Sequence, residues 1–183
     1  MALMTKTWTL AEYHQVVDTG VLDGQPVELL GGEIVVMSPE GVRPHASIST
    51  DAGEYLMLLL GERAQVRQAK PITLVAVDSE PEPDLAIVER LGRGYRDHHP
   101  YPENVLWLIE YADTSLSRDL DEKKRLYAEA GIPEYWVVNL RDMAVLVFRD
   151  PGAGTYRSER TRDSGVIHPL ALPDVSVSVD RLL

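Results

Sequence analysis

The run VLWLI, Val105 to Ile109, is apolar at every position and breaks off at Glu110. A strand with one wet face alternates, whereas an unbroken apolar run marks a strand covered on both faces. After a linker, Arg118 to Ala130 carries helical spacing, with Gly131 placed to cap its C-terminus and Pro133 just beyond. Tyr135 to Asn139 then reads as a second strand. Strand, helix and strand in this order predict a βαβ unit, whose two strands run parallel with a right-handed crossover. The chain is thereby committed to the α/β class, with a mixed central sheet and helices on its faces.

The remaining segments fit around that unit. Thr9 to Glu12 has the T-x-x-E pattern of a capping box, opening a short helix that ends near Gly20. Val27 to Leu30 and Glu33 to Met37 flank Gly31-Gly32, two residues suited to positive φ, so they predict an N-terminal β-hairpin. A second helix is expected from Pro44 to about Gly61, with His45, Ile48, Ala52, Tyr55, Leu56 and Leu59 on one face. Ile72 to Val77 and Asp84 to Val88 read as strands around an acidic, proline-containing turn; residues 89–103 lack periodicity and read as a loop. Met143 to Phe148 returns as a hairpin strand, and Val175 to Val179 alternates like an edge strand. With no repeat or linker in 183 residues, a single domain spanning 1–183 is expected.

Charge and residue usage narrow the chemistry. The chain has no cysteine, which excludes disulfides, thiolate zinc sites and cysteine nucleophiles. Its apolar runs fall far short of the ~20 residues of a membrane span, and no signal-like segment precedes Trp8, so a cytoplasmic protein without membrane contact is expected. A net charge of -11 argues against a general nucleic-acid coat, yet it is compatible with an enzyme that meets nucleic acid at one metal site.

One lysine stands where a core residue belongs. Leu116, Leu120, Tyr127 and Ala130 fall on a single helical stripe, and Lys123 points along it, while Glu122, Arg125 and Glu129 take the far side. Lysines often lay their stems over apolar surface and reach water with the ammonium, so this helix alone does not assign a role. Two acids supply a context. Asp84 opens a strand after Glu82-Pro83, and Glu110 stands where the buried strand breaks. Strand ends followed by loops are where sheets of this class build sites.

These residues carry a resemblance. E-P-D-L-A-I-V, then L-W-L-I-E-Y, then D-x-x-x-K-x-x-x-Y-x-x-x-G-I-P-E-Y-W-V-V-N resemble the Uma-type restriction endonuclease family, long filed as a domain of unknown function within the PD-(D/E)XK nuclease superfamily. The similarity extends from V-E-L-L-G-G-E-I-V-V-M-S-P to the closing L-P-D-V-S-V-S-V-D, nearly the whole chain. It implies a restriction-endonuclease-like fold, with Asp84 as the acid of the PD element and Glu110 as the second acid. The superfamily's usual lysine lies two residues after that acid, a position held here by Ala112. Similar proteins take the lysine from the following helix, which matches Lys123.

The resemblance further implies a Mg²⁺ cofactor, with Mn²⁺ as an alternative, bound by Asp84, Glu110 and the backbone carbonyl of Tyr111, and DNA as the partner. Mg²⁺ prefers oxygen ligands, retains waters, and activates a bound water while neutralising phosphoryl charge. Lys123 is expected to act electrostatically, because nearby carboxylates oppose the loss of its proton. Its removal is expected to cost little stability.

Accessory roles stay open at three positions. Glu28 completes a metal shell or pairs with an arginine; His45 packs at its helix start or stands near the metal; Asp119 is at most a partner of Lys123 at ordinary i,i+4 spacing. His98-His99 lack neighbouring ligands and read as exposed. Two rivals remain: a non-catalytic module keeping the nuclease fold for binding or assembly, and a metal-dependent hydrolase of a small phosphate ester. A homodimer is expected, two-fold pairs being the commonest soluble assemblies.

Overall fold

The computed structural model describes residues 6–37, 44–113 and 116–183, with residues 44–46 by backbone alone. Helix α1 (Leu10–Asp18) begins in the expected capping box: Thr9 Oγ1 accepts the Glu12 N–H, and the Glu12 carboxylate accepts the Thr9 N–H. The hairpin follows, β1 (Val27–Leu30) paired antiparallel with β2 (Glu33–Val36). Its turn, Gly31-Gly32, has φ of +55° and +81°. Glycine takes these angles without strain. At Gly32 a side chain would also be blocked, since an added Cβ would lie 2.9 Å from the Trp8 carbonyl oxygen.

Helix α2 (Pro44–Leu60) leads into the central sheet, whose strands are β3 (Gln65–Gln68), β4 (Leu85–Val88), β5 (Val105–Ala112), β6 (Glu134–Asn139), β7 (Ala144–Gly152) and β8 (Thr155–Arg162), in that spatial order. The β5–β6 pair is parallel and every other neighbour is antiparallel, so the sheet is mixed as expected. Between β5 and β6 the chain forms α3 (Leu116–Arg118), a π-helical turn at Asp119–Lys123, and α4 (Lys124–Glu129). Gly131, at φ +79°, ends the helix where the sequence predicts a stop. A small separate sheet pairs β9 (Val166–Ile167) with β10 (Val177–Ser178).

Alternation along β5 sorts the core into two layers. Trp107, Ile109 and Tyr111 join Leu56, Leu60, Ile87, Trp136 and Val147 on the α2 side. Leu108 and Ala112 join Ala86, Tyr127, Tyr135, Val137 and Phe148 on the α4 side. Glu110, between Leu108 and Ala112, therefore falls on the α4 face by strand period alone.

Several expectations need correction. Ile72 to Val77 is not a strand: Ile72 and Leu74 are buried, but Val75–Val77 is a 3₁₀ turn closed by Asp78 at φ +41°. Two buried residues at i and i+2 imitate strand period without a ladder. The strands at Gln65–Gln68 and Thr155–Arg162 were not anticipated, because their polar sequences show little apolar alternation. The β5 strand also runs two residues beyond Glu110, so that acid lies within it rather than at its end. The Val175 to Val179 strand shrinks to Val177–Ser178. On α2, Leu60 is buried in place of Leu59, at i+4 from Leu56. Among the described residues, no helix is long and apolar enough to cross a membrane.

Candidate active site

Glu110 is the floor of the site, presented by β5 toward the helix that crosses above it. On the adjacent strand, Leu85 pairs with Ile109. Continuing this antiparallel register by one step sets Asp84 opposite Glu110, and cross-strand neighbours have Cβ atoms about 5 Å apart. The Asp84 position is fixed by a charge-assisted hydrogen bond: its Oδ2 accepts the Tyr111 backbone N–H at 2.7 Å. Tyr111 thus serves Asp84 through its N–H, while its ring packs on the other face of the sheet.

Lys123 comes down from the π-helical turn. It is 6% exposed, and its Nζ donates to Glu110 Oε1 at 3.0 Å and to Glu28 Oε1 at 3.1 Å. Glu110 and Lys123 are therefore in contact, with Asp84 just ahead of the neighbouring strand, and Glu28 pairs with this lysine instead of an arginine. Glu28 reaches it because β1 lies along the segment after the 3₁₀ turn: the Glu80 N–H donates to the Leu29 carbonyl, and the Glu82 N–H donates to Glu28 Oε1.

Tyr127 is the residue that sequence reasoning missed. Fully buried, it donates its hydroxyl to Glu110 Oε1 at 2.8 Å. Its position four residues after Lys123 was legible as core, and a phenol on the same inward stripe as a lysine is the signal that could have marked it. The same row includes Asp119, which is 3% exposed rather than a surface ion-pair residue. Leu116 and Leu120, read as its apolar members, are only half-buried. The side chain of His45 lies outside the described residues. His98 and His99, read as exposed, are half-buried; His98 stacks on Tyr101, and burial lowers the pKa of His99.

Electrostatics set the protonation states. Burial by itself lowers the pKa of Lys123, but Glu110, Glu28 and Asp119 outweigh it, and the net shift is upward. The ammonium therefore stays charged throughout the working range. Burial pushes the Glu110 carboxyl well above the usual carboxylate range; Lys123 opposes this, while Asp84, Asp119 and Glu28 reinforce it. Glu82 is raised as well, first by burial and then by Glu28.

The donor set can be tested for a hard cation. Among the described residues, no group of three or more His, Asp or Glu side chains is set to hold a metal ion as it stands. The ammonium of Lys123 is the cation now gathering the carboxylates. Glu110 and Glu28 each direct Oε1 to the chain's own donors, and neither Oε2 receives a hydrogen bond from a described residue. Buried carboxylates with one oxygen held and the other undonated suit an oxygen-seeking ion such as Mg²⁺.

Comparison with known proteins bears on the family and the fold. Residues 10–180 match the family model described as "Uma2: Putative restriction endonuclease". A solved structure described as a putative nuclease belonging to DUF820, from Anabaena variabilis ATCC 29413, superposes with a TM-score of 0.73 at 17% identity, covering 95% of this chain and 96% of that one. At such identity the likeness establishes the nuclease-like fold alone. None of the curated proteins matches the chain.

Proposed function

The chain belongs to the Uma2 restriction endonuclease family, and from that premise we propose that it hydrolyses DNA phosphodiester bonds at a divalent-metal site formed by Asp84, Glu110 and Glu28, with Lys123 stabilising the transition state. The observation that carries this reading is the buried ammonium of Lys123 between Glu110 and Glu28 at 3.0 and 3.1 Å. An ion pair buried this deeply is rarely a gain in stability over apolar packing, so its retention calls for another use.

Each residue has a part that follows from its surroundings. Asp84 and Glu110 offer oxygens to Mg²⁺, or to Mn²⁺ in its place, with Glu28 beside them and the Tyr111 carbonyl as a further donor. When bound, such an ion lowers the pKa of a coordinated water and neutralises charge on the phosphoryl group. Lys123, kept protonated by its carboxylates, cannot serve as the general base. It holds a fixed positive charge where a phosphoryl oxygen gains negative charge, which is catalysis by electrostatic preorganisation. Tyr127 keeps Glu110 Oε1 oriented. Asp119 adds negative potential that helps to keep Lys123 charged.

The test is cleavage of supercoiled plasmid and single-stranded DNA with Mg²⁺ or Mn²⁺, against an EDTA control. Wild type should cut, Asp84→Asn should lose both cutting and metal affinity, and Lys123→Met should lose cutting while Mn²⁺ still binds. Wild type that binds Mn²⁺ but cuts no DNA, while hydrolysing a small phosphate ester, would transfer the assignment to that substrate class. Absence of both metal binding and cleavage would leave a nuclease fold used for binding or assembly.

A further inference from the structure

The edge strand carries a cleft of a different character. Val147, Arg149, Arg160, Arg162, Val166, Ile167 and His168 line a cavity of about 160 Å³. No carboxylate is among its walls, on a chain with 29 Asp and Glu against 18 Lys and Arg. Arg149 is already committed: its Nε and Nη2 donate to the buried Glu134 at 2.8 and 2.6 Å, and Nη2 also donates to the His168 carbonyl. Arg160 and Arg162 are exposed and have no carboxylate partner among the described residues. Two unneutralised guanidiniums beside an apolar wall thus face solvent in an acidic protein.

Sheet register relates this cleft to the proposed site. Arg162 pairs with Val145, which pairs with Val138, which pairs with Tyr111. By the same route Arg160 aligns with Val147, Trp136 and Ile109. The two arginines therefore occupy the cross-sheet rows that flank Glu110, three strands away, or about 14 Å at a strand spacing of ~4.8 Å. One strand of a DNA duplex advances ~3.4 Å per nucleotide, so about four nucleotides would cover that distance on one face, and a path that passes to the other face needs more. Arg160 and Arg162 leave the sheet on the face of Val145 and Val147, opposite to Glu110. They are thus suited to a backbone rounding the β8 edge, and not to the phosphate under attack.

We propose that Arg160 and Arg162 form a phosphate-binding edge that holds the backbone of a polynucleotide where it rounds β8, remote from the phosphate at the Asp84–Glu110–Lys123 site. This rests on the nuclease reading for its substrate and extends it by requiring a polymer. A small phosphate ester could not reach both places at once. Guanidinium is the suited group, since its planar fork binds phosphate oxygens in pairs.

The experiment compares wild type with an Arg160→Gln/Arg162→Gln double variant, using a fluorescent duplex in EDTA so that binding is read without cleavage. Each lost phosphate contact should lower the slope of log affinity against log salt by about 1, hence about 2 for the double variant, with weaker binding at every salt concentration. Mn²⁺ binding, and hydrolysis of a small chromogenic phosphodiester where wild type shows it, should be unchanged. Equal affinity and slope in the two proteins would overturn the proposal and leave the nuclease assignment untouched. A double variant that loses self-association in sedimentation, with DNA binding unchanged, would overturn it in favour of a second copy of the chain. Wild type that cuts no DNA but shows the predicted loss of slope on substitution would uphold the edge and remove the nuclease reading.

Discussion

Replacing Lys123 by methionine keeps the buried stem and removes only the ammonium. What remains is Glu110 and Glu28, 4% and 1% exposed, facing one another without the cation that joined them. Breaking a buried pair from one side costs ~3–5 kcal/mol when the orphaned charge stays charged. The chain can limit that cost by binding a proton. An unperturbed glutamate titrates near 4.3, so holding one protonated costs ~1.4 kcal/mol per pH unit above that value, about 4 kcal/mol at pH 7 and about 1 at pH 5. Because burial already raises Glu110 in wild type, this figure is a ceiling: Lys123→Met is expected to be less stable than wild type by up to ~3–4 kcal/mol at pH 7, with the difference shrinking to ~1 kcal/mol or less at pH 5. This reverses the expectation from sequence that loss of the lysine would cost little, because the sequence did not reveal two buried carboxylates on one ammonium.

The sign follows from linkage. In the variant the Glu110 carboxyl, raised by burial and no longer opposed by Lys123, has its folded pKa above the unfolded one, so the folded state holds more protons and loses stability as pH rises from about 4.3. The raised pKa of Lys123 in wild type works the other way round: its contribution is fully present below ~10.4 and is lost only at more alkaline pH. Glu110 is itself raised in wild type, so the quantity to measure is the difference between the two proteins. Urea unfolding of both in EDTA at several pH values supplies it, and added Mn²⁺ should narrow the gap by replacing part of the missing charge. A difference that does not change with pH, or stays below ~1 kcal/mol at neutrality, would show that Lys123 does not offset the burial of Glu110.

Tyr127→Phe removes a hydrogen bond to a charged acceptor, worth ~1.5–3 kcal/mol, and leaves the Glu110 anion less stabilised. The acidic limb of Mn²⁺ binding against pH should shift to higher pH, and calorimetric titration that finds it unmoved would remove the positioning role. Gly32→Ala would force a Cβ against the Trp8 carbonyl at φ +81°, costing at least ~1–3 kcal/mol in thermal unfolding and disturbing the hairpin that delivers Glu28. An unchanged melting temperature would mean the turn relaxes freely. Arg63→Ala breaks a bidentate pair with Asp174 in which both side chains are well exposed and solvent screens the charges, so little loss of stability is expected. A much larger loss in urea unfolding would show that this pair anchors the C-terminal segment.

What the sequence made legible is what depends on local period. Val105 to Ile109, the helix after it, and Tyr135 to Asn139 could be read because an apolar run, a 3.6-residue stripe and a glycine stop each leave their mark within a few residues. Asp84 and Glu110 stood out for the same reason, as charges beside apolar runs. Strand β8 escaped because its ladder with β7 holds it while most of its side chains face water, with Tyr156 its one buried residue. The bond from Glu82 N–H to Glu28 escaped because it joins segments 54 residues apart. No window along the chain contains both partners.

The helix above Glu110 shows why the lysine was legible while its surroundings were misread. A uniform 100° step made Leu116 and Leu120 the buried members, yet the buried row is Asp119, Lys123 and Tyr127. The difference lies in the π-helical turn. The Lys124 N–H reaches back five residues to the Asp119 carbonyl, fitting one more residue into that turn than an α-helix would. The same carbonyl accepts the Tyr135 hydroxyl at 3.1 Å, a bond from the next strand that helps to offset the poorer helical geometry. A lysine on the same strand as Glu110 would need no such device, since strand alternation alone would aim it. A lysine delivered from the following helix must be set at the right depth and angle over the sheet, and the wider turn, tied down by Tyr135, brings Lys123 to within 3.0 Å of Glu110 while Tyr127, one turn later, reaches the same oxygen.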